Sequence, residues 1–84
     1  MDQAEFNRLS WQCRRGMLEL DIFLNRFLQE AYPHLIPADQ NLFKELLQET
    51  DQDLFIWLTG REEPIEPNLK KIITMVRQHV NPES

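Results

Sequence analysis

The segment Arg14-Arg15-Gly16-Met17-Leu18-Glu19 holds the residue types and spacing best suited to chemistry in this chain. A pair of cations stands directly before a glycine, and Glu19 lies four positions after Arg15. Helical residues at this spacing are neighbours, so the two charges can form a surface ion pair worth about 0.3–0.5 kcal/mol. A docking site is the alternative, because a glycine lets a partner backbone approach while Arg and Glu form charge-assisted hydrogen bonds. Spacing alone leaves both interpretations open.

The other reactive residues favour structural roles. Cys13 shares a helical face with apolar residues, which predicts a buried thiol rather than a nucleophile. His34 and His79 lie far apart in the sequence and suggest no shared metal site. Asp51 and Asp53 begin like a calcium loop, but the required glycine and final glutamate are absent, and acids are also favoured at a helix N-terminus. With no Gly-rich phosphate loop either, we predict that the chain is not an enzyme.

Length and charge exclude further classes. The 84 residues predict a single domain with a small core spanning about residues 3–80 and a frayed tail at 81–84. The 14 acidic and 9 basic residues give a net charge of -5, and the cations are scattered, which disfavours nucleic-acid binding. A single cysteine indicates a reducing compartment. With neither an apolar run of about 18 residues nor a signal peptide, we expect no membrane insertion and a cytoplasmic location.

The periodic signals are helical throughout and predict an all-α fold, a compact bundle of five short helices with antiparallel neighbours. The first helix is expected at about residues 3–13, with Asp2 as its cap and a stop near residues 14–16, where Gly16 can turn the backbone. The second is expected at 17–31. Pro37 is expected to open the third helix and Pro67 the fifth, whose apolar positions run to Val80. The fourth helix, at 51–58, is expected to be capped by Thr50 and ended by Gly60.

Four apolar residues leave the choice between core and surface open. Leu18 and Ile22 fall outside the main apolar stripe of the second helix, beside the charges. They can pack against another element or contact a partner, and we predict core packing. The same choice applies to Phe55 and Trp57 on the fourth helix, for which core packing is again the prediction.

Two segments resemble a known family. Arg15-Gly16-Met17-Leu18-Glu19 matches the R-G-x-x-E motif of the SdhE family, the FAD assembly factors of succinate dehydrogenase, and residues 11–21 resemble that family's signature segment. Residues 51–58 resemble its second segment, in which an acidic pair precedes L-x-x-W-L. The resemblance covers the chain to about Val80, and the two segments at this separation are more specific than a lone R-G-x-x-E.

The resemblance implies a small helical chaperone rather than a catalyst. Proteins of this family bind the flavoprotein subunit of succinate dehydrogenase, and in bacteria also that of the related fumarate reductase. They promote covalent attachment of FAD to a histidine of that client. FAD is then the cofactor of the client, and we expect this chain to bind no cofactor stably.

Carried over by position, the motif residues Arg15, Gly16 and Glu19 are expected to form the heart of the client-binding face. Other charged residues near the two segments are expected to add weaker or outer contacts: Arg8, Arg14, Asp51 and Asp53. A mechanism consistent with this face is that the bundle holds the flavin domain of the client in a geometry competent for flavinylation.

Two other classes remain open. An acidic helical adaptor or antitoxin-like inhibitor of an unrelated protein would use the same surface and differ only in its partner. An independent flavin carrier is disfavoured, because the sequence has no Gly-rich phosphate site and few aromatic residues free for stacking.

Overall fold

The computed structural model describes residues 3–80, which contain five α-helices and no strand. The all-α fold of five helices is therefore confirmed. The Asp2 cap, the side chain of Val80 and the frayed tail at 81–84 lie outside the described residues. The helices are α1 (Gln3–Gln12), α2 (Leu18–Glu30), α3 (Pro37–Leu46), α4 (Asp51–Leu58) and α5 (Pro67–Val80), with one 3₁₀ turn at Tyr32–His34.

Helix α2 supplies the centre of the core. Its apolar stripe is buried as the helical period requires, and Leu20, Leu24 and Leu28 have no exposed surface. Helix α5 packs against α2, α3 and α4, and it buries Ile72 and Ile73 completely. The three helices that surround α2 are α1, α4 and α5. None of the helices in the described part of the chain is long and apolar enough to cross a membrane.

The helix ends follow the predicted boundaries closely. Pro37 and Pro67 open α3 and α5, and the Thr50 hydroxyl accepts a hydrogen bond from the Asp53 backbone N–H at 3.2 Å, as a cap does. Helices α1 and α2 are each slightly shorter than predicted. The 3₁₀ turn was not predicted. Pro33, near its start, is compatible both with such a turn and with the irregular connection that the sequence suggested.

The prediction of core packing is wrong for Leu18 and Ile22. Their exposed fractions are 72% and 47%. The stripe of α2 that faces α1, α4 and α5 is filled by other residues, so these two side chains stand on the uncovered side of the helix. Phe55 and Trp57 are half-buried and pack against the core, which confirms the prediction for α4.

Candidate functional site

The α1–α2 link, residues 13–17, carries the candidate motif. Helix α1 ends at Gln12 and continues into a turn at Cys13, slightly before the predicted stop near residues 14–16. Gly16 has φ +80°, a conformation that residues with a Cβ rarely adopt. A Cβ added there would meet nothing within 4 Å. Glycine is therefore favoured by the backbone turn, and its position leaves bare main chain on an open surface.

The side chain of Arg15 points across the molecule to the α3–α4 link, residues 47–50. Its Nε donates to the Gln12 carbonyl at 2.7 Å, and its Nη1 donates to the Glu49 carbonyl at 3.1 Å. Its Nη2 donates to the Leu47 carbonyl, and Nη1 also lies 3.4 Å from Asp51 Oδ1. Only 15% of this side chain is exposed.

The helix ends explain why an arginine lies here. Gln12 is the last residue of α1 and Leu47 is the C-terminal cap of α3, and carbonyls at helix C-termini have no partner within the helix. They also lie at the negative ends of the two helix dipoles, which favour a cation. Asp51 opens α4. The planar guanidinium with its five N–H donors can serve all of these acceptors at once.

The ion pair between Arg15 and Glu19 that the spacing allowed is not formed. Arg15 precedes the first residue of α2, so the two side chains do not share a helical face. Within residues 3–80 the ion pair of Arg15 is with Asp51, and Glu19 has none. Glu19 is exposed in the first turn of α2. The structure therefore separates the motif into a largely buried cation and an exposed acid on either side of Gly16.

Asp21 has a structural role that the sequence analysis missed. Its Oδ1 accepts a hydrogen bond from the Arg15 backbone N–H at 2.7 Å. Met17, at the cap position of α2, makes no capping hydrogen bond through its side chain. The carboxylate thus reaches back from the first helical turn and holds the link. An acid in the first turn of the predicted helix was the available signal for this role.

An exposed aromatic–cation pair borders the α1–α2 link. Trp11 is 71% exposed, and the guanidinium carbon of Arg14 lies 5.2 Å from the centroid of its ring, within range of a cation–π contact. Both residues line a shallow surface depression of about 320 Å³. The other residues that line it come from the end of α1, the α1–α2 link and the α3–α4 link: Gln12, Arg15, Leu47 and Gln48.

The remaining predicted contacts lie around this surface. Arg8 is exposed on α1 and lines a neighbouring depression that shares Gln12 and Gln48 with the first. Asp51 is engaged with Arg15, and Asp53 is half-buried in the first turn of α4. The structure thus brings Arg8, Arg14 and Asp51 to the region of Gln12 and Arg15.

Exposed apolar side chains continue the surface onto α2. Leu18 and Ile22 are one helical turn apart, with Glu19 beside them. Since a glutamate and two large apolar side chains share this uncovered side, it combines apolar area with one directional hydrogen-bond acceptor. Such a mixture suits recognition of another protein.

Cys13, the first residue of the α1–α2 link, carries a buried structural thiol, which confirms its predicted burial. It has no exposed surface. Burial raises the pKa of the thiol to about 12, the Arg15 charge opposes part of that rise, and the Asp21 charge adds to it. The thiol is therefore protonated at neutral pH and unsuited to nucleophilic attack. Among residues 3–80, no group of three or more His, Cys, Asp or Glu side chains is placed to hold a metal ion.

Comparison with known proteins gives a single consistent result. A sequence model of the family described as "Flavinator of succinate dehydrogenase" matches residues 7–80. The chain is 45% identical over 82 residues to the FAD assembly factor SdhE of Pseudomonas aeruginosa, covering 98% of each chain. It is 43% identical over 77 residues to the factor of the same name from Legionella pneumophila, covering 92% of this chain and 96% of that one. The match to the one from Coxiella burnetii is 42% over 71 residues, or 84% and 87% of the two chains.

Proposed function

Because this chain belongs to the SdhE family of FAD assembly factors, we propose that it binds the flavoprotein subunit of succinate dehydrogenase and promotes covalent attachment of FAD to that subunit. The flavoprotein subunit of the related fumarate reductase is a second client in this proposal. The chain itself acts as a chaperone, without a catalytic group and without a stably bound cofactor. We place it in the bacterial cytoplasm, in keeping with a buried free thiol.

The bare backbone at Gly16 is the observation that supports this docking role most directly. Nothing lies within 4 Å of the position that a Cβ would occupy, so a partner's main chain can approach the link closely. Glu19 beside it is exposed and has no ion-pair partner among the described residues, which leaves its carboxylate able to accept hydrogen bonds from a client. The face then extends over Leu18 and Ile22 on one side and over Arg14 and Arg8 on the other, with Asp51 and Asp53 as outer contacts.

Orientation is the contribution that such a face can make. The new bond joins a client side chain to the flavin, and its chemistry belongs to those two partners. A docked chaperone can hold the flavin domain of the client so that the two reacting groups stay within bonding reach, which lowers the entropic part of the barrier. In this mechanism none of the residues on the face gives or takes a proton from the flavin.

A reconstitution experiment tests the proposal. The flavoprotein subunit, made in cells that lack an assembly factor, is incubated with FAD with and without the purified chain. Covalent flavin is then measured by its fluorescence in the subunit after denaturing electrophoresis. We expect the chain to accelerate attachment to the folded subunit. An equal rate without the chain would contradict the proposal, as would attachment of FAD to the chain itself or to a peptide from the client.

Capture from a lysate tests the competing interpretation of the same face. A tagged chain should recover a flavoprotein subunit, and the exposed-face variant Glu19→Ala should recover less of it. Recovery of an unrelated protein, again reduced by Glu19→Ala, would instead favour the acidic adaptor.

A further inference from the structure

We propose that Arg15 is a positioning residue for client docking, and that it acts by bracing the α1–α2 link against the α3–α4 link rather than by touching the client. This inference rests on the proposed function, since docking is the activity that the brace serves. The motif-based expectation treats Arg15, Gly16 and Glu19 as equivalent contacts. The structure gives the arginine a different task from the other two.

All three nitrogens of the Arg15 guanidinium donate hydrogen bonds within the chain. Its Nε, Nη1 and Nη2 each donate to a backbone carbonyl, of Gln12, Glu49 and Leu47 in that order. Its charge is balanced by Asp51 at 3.4 Å. A guanidinium that recognised a client would have to give up these acceptors, three of which are backbone carbonyls that would lose a charged donor. With only 15% of the side chain exposed, a client has little of Arg15 to reach.

These bonds join parts of the chain that otherwise pack together weakly. Helix α1 has its main packing contact with α2, whereas the acceptors of Arg15 include both the end of α1 and the α3–α4 link. Helices α1 and α3 are also joined by an ion pair, with Lys44 Nζ at 2.5 Å from Glu5 Oε1, and these side chains are 43% and 35% exposed. An ion pair at that exposure contributes little. With four polar contacts and a side chain that is 15% exposed, Arg15 is a stronger polar brace than this ion pair.

The brace acts on the docking face through the main chain. Arg15 is bonded to Asp21 through its own backbone N–H at 2.7 Å while its side chain is anchored to the α3–α4 link. Gly16 follows immediately and can adopt many conformations when its neighbours are free. Fixing Arg15 at both backbone and side chain thus fixes where Gly16 turns and where the exposed Arg14 stands.

Lysine cannot replace arginine in this role. An ammonium group is a compact point charge without the planar fork, so it cannot bond three separated carbonyls and a carboxylate in this geometry. A contact cation on an exposed face would instead keep much of its effect as lysine. The substitution Arg15→Lys therefore separates the two roles.

The test measures the affinity of each variant for the purified flavoprotein subunit at several salt concentrations, with thermal unfolding recorded in parallel. We expect Arg15→Lys and Arg15→Met to weaken binding equally, by about tenfold if the unbraced face is competent for about a tenth of the time. The salt dependence of binding should stay that of the wild type, because no client-facing charge is lost. Arg14→Met removes an exposed cation and should make the salt dependence shallower.

Arg77→Lys is the matched control. Arg77 is also an ion-paired arginine, with Nη1 at 3.0 Å from Glu63 Oε1. It lies on α5 and lines a separate depression with Glu63, Thr74 and Gln78, none of which belongs to the docking face. The affinity of the Arg77→Lys variant for the client should equal that of the wild type. Wild-type affinity in Arg15→Lys would overturn the inference, and so would a shallower salt dependence in Arg15→Met, since both results mark Arg15 as a client contact.

A second variant decides the matter if the Arg15 variants do not fold. Asp21→Asn weakens the backbone anchor and leaves the Arg15 side chain in place, and we expect faster amide exchange in residues 14–17 together with weaker client binding. Faster exchange with wild-type affinity would overturn the inference. Failure of the wild-type chain to bind the subunit would overturn the proposed function, whereas amide exchange in the free chain tests the brace without any client.

Discussion

Two links of this molecule contain a glycine with the same backbone conformation, but the two glycines have different roles. Gly16 in the α1–α2 link and Gly60 in the α4–α5 link, residues 59–66, both have φ +80°. Gly60 closes α4, with its own N–H donating to the Trp57 carbonyl and the next N–H donating to the Ile56 carbonyl, the hydrogen bonds of a Schellman cap. Gly16 lies beyond the end of α1 and caps no helix.

The arginine side chains near the two glycines also point in different directions. Arg77 lies over Gly60, so that an added Cβ would stand 3.1 Å from its Nη2. Arg15 turns away from Gly16 into the molecule and leaves the glycine uncovered. The same backbone conformation is therefore found at one covered helix end and at one bare surface. Local conformation alone does not make a docking site; the direction of the neighbouring arginine decides whether the glycine stays accessible.

The largest effect that we expect on stability comes from the buried thiol of Cys13 in the α1–α2 link. The pKa of Cys13 is raised by burial from 9.0 to about 12. The stability that this protonated thiol carries is complete below pH 9, and it is lost as pH rises toward 12, because only the unfolded chain ionises in that window. The loss should reach about 4 kcal/mol at pH 12. Urea unfolding across this range should show it, and Cys13→Ala should show a shallower decline; an equal decline would contradict the assignment.

Blocking the bare surface should affect client handling most strongly. Gly16→Arg places a large cation where a client backbone approaches, and we expect client affinity and flavinylation to fall about a hundredfold, the scale of a central interface residue. The fold should survive with a loss of about 1–2 kcal/mol of stability, because the φ +80° backbone is strained for arginine while nothing lies within 4 Å of the new Cβ. Circular dichroism and the reconstitution assay measure the two effects. If helicity collapses, Gly16 serves the fold alone.

Alanine at each glycine sharpens the comparison of the two links. Both substitutions put a Cβ into a φ +80° backbone, at a cost of about 1–2 kcal/mol of stability. Gly60→Ala must also displace Arg77, which disturbs its pair with Glu63 and adds up to about 1 kcal/mol. We therefore expect a lower melting temperature for Gly60→Ala than for Gly16→Ala in thermal unfolding. Only Gly16→Ala should slow flavinylation. The reverse ranking would mean that the α1–α2 link is the tighter one.

The smallest expected change in stability comes from the acid in each region. Glu19→Ala and Glu63→Ala each remove an exposed carboxylate, and each should change the free energy of unfolding by less than about 0.5–1 kcal/mol. Their effects on the client should differ, because Glu19 lies on the docking face and Glu63 pairs with Arg77. We expect about tenfold weaker client binding for Glu19→Ala alone. Equal binding by the two variants would remove Glu19 from the face.

Helix positions were predictable from the sequence because each helix carries its own signals. The apolar period, Thr50 as a cap and Pro37 and Pro67 as first residues are all local, and the structure places the helices accordingly. Gly60 was also predictable, since it stands two positions after Leu58, the last periodic residue of α4. In these places short-range preference and tertiary packing favour the same conformation.

The direction of the Arg15 side chain was not predictable in the same way. Two of its acceptors, the Leu47 and Glu49 carbonyls, lie more than 30 residues away, and a backbone carbonyl cannot be recognised from residue identity. The spacing to Glu19 suggested a helical pair, but that inference required Arg15 to be helical, and α2 begins at Leu18. The prediction of core packing for Leu18 and Ile22 failed for a related reason. Periodicity gives the face of a helix, and only the packing of other helices shows which faces are covered.

Amide hydrogen exchange of the chain, with and without the flavoprotein subunit, tests the central claim most directly. The docking account predicts slower exchange across residues 14–22 when the subunit is bound, while the α4–α5 link at 59–66 exchanges as in the free chain. Gly60 and Gly16 then serve as internal references with the same backbone conformation. Protection at 59–66 with residues 14–22 unchanged would contradict the claim that the bare glycine of the α1–α2 link marks the client-binding face.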